Sequence, residues 1–262
     1  MGRYLRLYAC FVRFSFSRAM EFRLDFFFRI VMDLVWNAVH LGFFWLLFRH
    51  TTLLGGLDFD QAIVFAASFF LVDALHMTIF SNNMWWFPTL VNRGDLDYYL
   101  IRPVSPLFFL SLRDFAANSF VNLLAAVGIL AWALARCPGS FSPGPLILFF
   151  LLLGGGLLLH FCLNLLFLLP VFWMHSASGT RELFFALSRY SQKPHGIFRG
   201  WVLRVLVTAL PFALIASFPV NALFFGASLG RLAHVLAVVV GMFGLLLLVW
   251  RRGLAAYASA SS

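Results

Sequence analysis

Lysine is almost absent from this sequence: in 262 residues there is one, Lys193, flanked by Gln192 and Pro194. A phosphate-binding P-loop needs Gly-x-x-x-x-Gly-Lys followed by Ser or Thr, the lysine to neutralise phosphates and the hydroxyl to hold magnesium. The polypeptide therefore carries no such ATP site. Charge of either sign is scarce, at 11% of residues against roughly 25% in an ordinary soluble domain. Hydrophobic residues make up 62% and aromatic residues 18%. No stretch is polar and long enough for a separate soluble domain, so the expectation is a single membrane domain over 1–262. Cysteine is sparse as well. Cys10, Cys137 and Cys162 fall, in the topology below, on the cytoplasmic side, on the outer side and inside a helix, which excludes a shared disulfide framework. Arginines interrupt the apolar residues of 1–22, and no clean apolar core with a small-residue cleavage site follows, so this start does not read as a cleaved signal peptide.

Apolar runs, by contrast, recur along the whole chain. A helix needs about 20 mostly apolar residues to cross a bilayer, and six stretches meet that need: 28–48, 60–81, 106–135, 145–174, 202–218 and 231–250. Gly and Pro clusters separate them, as at Gly55-Gly56, Pro138-Gly139 and Pro143-Gly144-Pro145. With the N-terminus inside, only Arg49, Arg136 and Arg231 fall outside, leaving 16 of the 19 basic residues on the cytoplasmic face. Positive residues in short loops stay on that face. The expected fold is thus all-α and polytopic, with six transmembrane helices and both termini cytoplasmic. The net charge of +9 is split among loops at the membrane surface, so anionic lipid headgroups rather than nucleic acid are its counterpart.

Before the first span, Arg3, Arg6, Cys10, Arg13, Ser17, Glu21 and Asp25 recur at helical spacing, opposite Tyr8, Val12, Phe16, Ala19, Phe26 and Phe27. Residues 1–27 read as an amphipathic interfacial helix. Leu7 and Phe14 on its polar side imply that it is partly covered by protein.

Asp73 and His76 stand three residues apart near the middle of the second span, where ionisable groups are costly unless paired or facing water. They are the candidate translocation path, with helix–helix pairing as the plainer reading. Arg29 with Asp33, and Arg113 with Asp114, read as interfacial pairs. His40 and His160 have no ligand set at metal spacing and read as helix contacts. Gly154-Gly155-Gly156 either lets another segment approach closely or loosens its helix. Gly226-Ala227-Ser228-Leu229-Gly230 matches a serine-nucleophile elbow, yet His234 lies about 240° round a helix from Ser228. A small-residue loop is the simpler account. Trp85, Trp86 and Trp201 near span ends read as interfacial anchors.

The connection 82–105 contains Arg93-Gly94-Asp95-Leu96-Asp97-Tyr98-Tyr99-Leu100-Ile101-Arg102-Pro103-Val104. Gly94 closes a short helix and Pro103 ends the turn that follows, which makes a rigid knob. In this stretch the chain resembles the membrane (permease) subunits of bacterial ABC type-2 exporters. Shape and order extend the resemblance over nearly the whole length, including a candidate outer re-entrant segment at 219–230.

The resemblance implies a permease working as a pair, with an identical or related second copy, in the bacterial cytoplasmic (inner) membrane. ATP and magnesium would be held by separate cytoplasmic P-loop ATPase subunits, this chain being no enzyme and holding no cofactor. Arg93, Gly94, Asp95, Leu96, Asp97, Tyr98, Arg102 and Pro103 would form the ATPase-coupling loop. The apolar spans suit an amphipathic or lipid-like cargo. The alternatives are an intramembrane enzyme acting on lipid or peptide and a proton-coupled secondary transporter.

Overall fold

In a computed structural model, residues 2–19, 23–137, 141–174 and 176–257 are described. Among them the regular structure is helical, apart from an isolated bridge between Leu54 and Leu57. The chain opens with α1 (Gly2–Ala19), followed by α2 (Arg23–Leu47). Tyr4 packs edge-on against Phe108 and Phe11 against Phe109, while Ser15 is buried. The inward face of α1 therefore runs through Tyr4, Leu7, Phe11 and Ser15. Of the two apolar residues on the side that sequence spacing made polar, Leu7 is covered by protein, whereas Phe14 is 69% exposed.

α3 (Phe59–His76) begins where Asp58 and Gln61 form a capping box, each side chain bonding the other's backbone N–H, at 2.9 and 3.2 Å. It runs without interruption through a π-helical turn, Met77–Ser81, into α4 (Asn82–Arg93). The result is one apolar rod of 35 residues. Residues 82–93, expected in the connecting loop, continue the helix, and the loop proper is 94–105. Gly94 ends the rod as anticipated, with φ +78°, a conformation that costs glycine little.

The knob holds α5 (Asp97–Leu100) and leads into α6 (Pro106–Leu112), which Ser105 caps. The single span expected over 106–135 is broken at 113–119, before α7 (Phe120–Arg136). Backbone groups freed by a break in an apolar setting must find partners within the protein, and they do. Asp114 N–H donates to Asn83 Oδ1 at 2.9 Å, Phe115 N–H to Ser15 Oγ at 3.1 Å, and Ala116 N–H to the Thr78 carbonyl at 2.8 Å. Asn83 Nδ2 returns a bond to the Asp114 carbonyl at 2.9 Å. The break is thus seated against the π turn, with α1 supplying a third partner.

α8 (Pro143–Leu168) and α9 (Val171–Met174) form the next apolar stretch, and α10 (Ser178–Ser188) follows. The stretch 202–218 is not one helix. It divides into α11 (Gly200–Val207), a turn through Pro211, and α12 (Ser217–Phe225). Proline lacks the N–H that would carry α11 onward. This hairpin starts beside the loop after α2, where Gly196 lies against the Gly55 backbone. It ends near the loop before α8, where Phe141 meets Phe224. Its tip, Ile215, reaches Gly156, midway along α8. Lys193, Arg199 and Arg204 accordingly lie toward the end of the bundle that carries Arg49, Arg136 and Arg231, which reduces the charge asymmetry without reversing it. α13 (Leu229–Ala256) completes the fold.

Gly156 answers the question that the glycine run raised. A Cβ there would stand 2.1 Å from the Ile215 carbonyl oxygen, whereas one at Gly154 meets nothing within 4 Å. Gly156→Ala is expected to destabilise the fold by about 1–3 kcal/mol, the usual cost of overpacking, read as a lower Tm in detergent. Gly154→Ala should leave Tm unchanged.

Candidate functional site

Among the described residues, four helices are apolar and long enough to cross a membrane: Ile30–Leu47, Phe59–Arg93, Pro143–Met174 and Leu229–Ala256. A cavity of about 410 Å³ opens among α2, α3, α8 and α10, inside the size range of ligand pockets. Asp73 and His76 both line it, together with Asp33, Asn37, Asn122, His160, Asn164 and Arg181. The i, i+3 spacing on α3 puts Asp73 and His76 on one face, and the π turn that follows leaves Ser81 and Met84 on the same wall.

Most polar groups around this cavity engage one another. His76 Nε2 lies 3.3 Å from Asn164 Nδ2, and the His76 ring stacks on that of His160, with centroids 4.2 Å apart and planes 8° from parallel. Asn37 Nδ2 donates to Asn122 Oδ1 at 2.9 Å, joining α2 to α7. His40 Nε2 meets Gln192 Oε1 at 3.3 Å. Arg181 donates to the Trp85 carbonyl at 3.4 Å and holds its guanidinium 4.6 Å over the Trp85 ring. His40 and His160 are thus helix contacts, as their isolation suggested. Sequence reading did not bring Asn164 into the site, although its position one turn after His160 on an apolar helix was the signal available.

The knob is the second site. Leu96 is fully buried and Tyr99 nearly so, and Arg113 of the broken segment hydrogen-bonds the Tyr99 hydroxyl. Arg102 donates to the Tyr98 carbonyl at 3.2 Å and lies 5.4 Å from the Phe109 ring centroid. Gly94 makes the turn, while Asp95 and Asp97 are partly buried. Burial, with the Asp97 and Asp95 carboxylates nearby, pushes the phenol of Tyr257, just beyond α13, above its usual range. Tyr257 therefore lies beside the knob. The outward face consists of Arg93, Tyr98, Ile101, Arg102 and Pro103. Ile101, at 81% exposure, was missing from the residues singled out by sequence.

The Gly-x-Ser-x-Gly stretch has a structural role. Ser228 caps α13, its hydroxyl accepting from the Arg231 backbone N–H at 3.4 Å and from Arg231 Nε at 3.2 Å. His234 instead meets the Val207 carbonyl, 2.9 Å from its Nε2. Ser228 and His234 do not form a nucleophile–base pair. The described residues hold no group of three or more His, Cys, Asp or Glu side chains placed to bind a metal ion.

No curated protein and no solved structure matches the chain. A family model described as "ABC-2 family transporter protein" matches residues 34–261, which takes in the knob, α13 and nearly all of the cavity wall. With that match over most of its length and its long apolar helices, the chain belongs to the ABC-2 transporter family and is a multi-pass membrane permease.

Proposed function

We propose that this permease is the membrane half of an exporter driven by ATP hydrolysis in separate cytoplasmic P-loop ATPase subunits. It works in a bacterial inner membrane beside an identical or related second permease. The observation that carries this reading is the rod from Phe59 to Arg93, which lines the cavity with Asp73 and His76 and ends at the knob. An ATPase closing against Arg93, Asp95, Asp97, Tyr98, Ile101 and Arg102 would move one end of a helix whose middle is the cavity wall. The π turn, wired to the 113–119 break, is the place where such a rod yields. Transport then requires the cargo to bind the two states differently.

Six crossings are α2, α3 with α4, α7, α8, the segment 178–192 and α13. The fifth moves from 202–218 to 178–192, and the α11–α12 hairpin dips in from the outer face and returns to it. Both termini stay cytoplasmic, and α1 lies in the interface with Arg6 and Arg13 exposed. ATP and magnesium belong to the partner chain.

The test is affinity purification of the intact protein from its native membranes. Recovery of a P-loop ATPase is the expected result, and its repeated absence under mild detergent sinks the reading. A proton-coupled transporter using Asp73 and His76 predicts uptake into vesicles without ATP instead.

A further inference from the structure

Asp73 lines the cavity but takes no part in the amide and imidazole pairs around it. Among the described residues of the wall the cation is Arg181, and it is committed to Trp85, roughly 18 Å along the same rod from Asp73. The Asp33 side chain lines the same cavity from α2. Beside them stand the rings of Trp36, Phe69 and Phe70. A carboxylate in apolar surroundings is stabilised by a partner cation, and aromatic faces attract cations as well.

We propose that the cavity binds a protonated amine carried on an apolar body. Its N–H groups serve the Asp73 carboxylate, and its apolar part lies against Trp36, Phe69 and Phe70. The inference rests on the permease reading for its meaning in transport but not for its test. It also narrows the amphipathic cargo to one sign of charge.

The protein purified in neutral detergent is unfolded thermally in the presence of 1-adamantylamine, 1-adamantanol or 1-adamantanecarboxylate, one cage bearing a cation, a neutral group or an anion. A ligand that binds only the folded state raises Tm in proportion to its affinity. The amine is expected to raise Tm saturably and the other two to leave it unchanged. Asp73→Asn should weaken the amine's apparent affinity tenfold or more, while Glu182→Gln, away from the cavity wall, leaves it intact. Absence of amine binding, equal binding of the alcohol, preference for the carboxylate, or full affinity in Asp73→Asn each overturns the proposal. Should Asp73→Asn not fold, Trp36→Leu at its half-exposed position carries the test. A threefold loss of affinity supports the proposal and an unchanged affinity overturns it. No ATPase takes part, so failure here removes the ligand class and leaves the permease reading standing, whereas failure to recover an ATPase does the reverse.

Discussion

Asn83→Leu is expected to cost the fold several kcal/mol, about 2–6. The Asn83 amide holds both the N–H and the carbonyl of Asp114, each at 2.9 Å, where the third apolar stretch breaks. Leucine nearly matches the volume but leaves both backbone groups without partners in a buried, apolar setting. Each such group costs about 1–3 kcal/mol, so the pair loses about 2–6 kcal/mol, a large fraction of a typical folding free energy of about 5–15 kcal/mol. The protein should become polydisperse in detergent or show a sharply lower Tm. Asn82→Leu, one residue away and outside this bonding pattern, should fold with a much smaller shift. Equal behaviour of the two variants would show that the seat between the π turn and the 113–119 break does not hold the fold together.

Ile101→Asp should have the opposite profile, with stability intact and function lost. Ile101 is 81% exposed, so an aspartate there removes little packing and the folding free energy should stay within about 0.5 kcal/mol of wild type, as at most exposed sites. If the outer face of the knob docks on an ATPase, a charge at its apolar centre should lower ATP-dependent transport tenfold or more. Interface centres that are apolar and well packed commonly lose 2 kcal/mol or more when disrupted, about a thirtyfold change in affinity. Leu96→Asp is the contrasting case. Leu96 is fully buried under the same knob, and a charge there should prevent folding outright. Transport at wild-type rates in Ile101→Asp would remove the knob from the coupling route.

The parts of this architecture that were legible in the sequence are those with strong local causes. Gly94 ends a helix, and long apolar runs give α2, α8 and α13 nearly their observed extents. The parts that were not legible depend on partners distant in the chain. Nothing local reveals that Asn83 will satisfy the backbone at 114, so the break at 113–119 reads as uninterrupted span. The hairpin at 200–225 is as apolar as a crossing helix. Pro211 was the clue to its division, but its path is fixed by Gly55 and Gly156, whose approach no spacing rule reports. In the cavity, Asp73 and His76 were found because charge is conspicuous in an apolar helix. His160 was seen as isolated, and its stacking on His76 arises only when α3 and α8 come together.

Docking of a separate ATPase on the knob is tested most directly by site-specific photo-crosslinking in native membranes, with the reactive side chain at position 101 in one variant and at position 197, beside Gly55, in another. The account predicts that position 101 captures a P-loop ATPase and position 197 does not. Capture of that ATPase from position 197, or from neither position while the protein remains folded in the membrane, would contradict it.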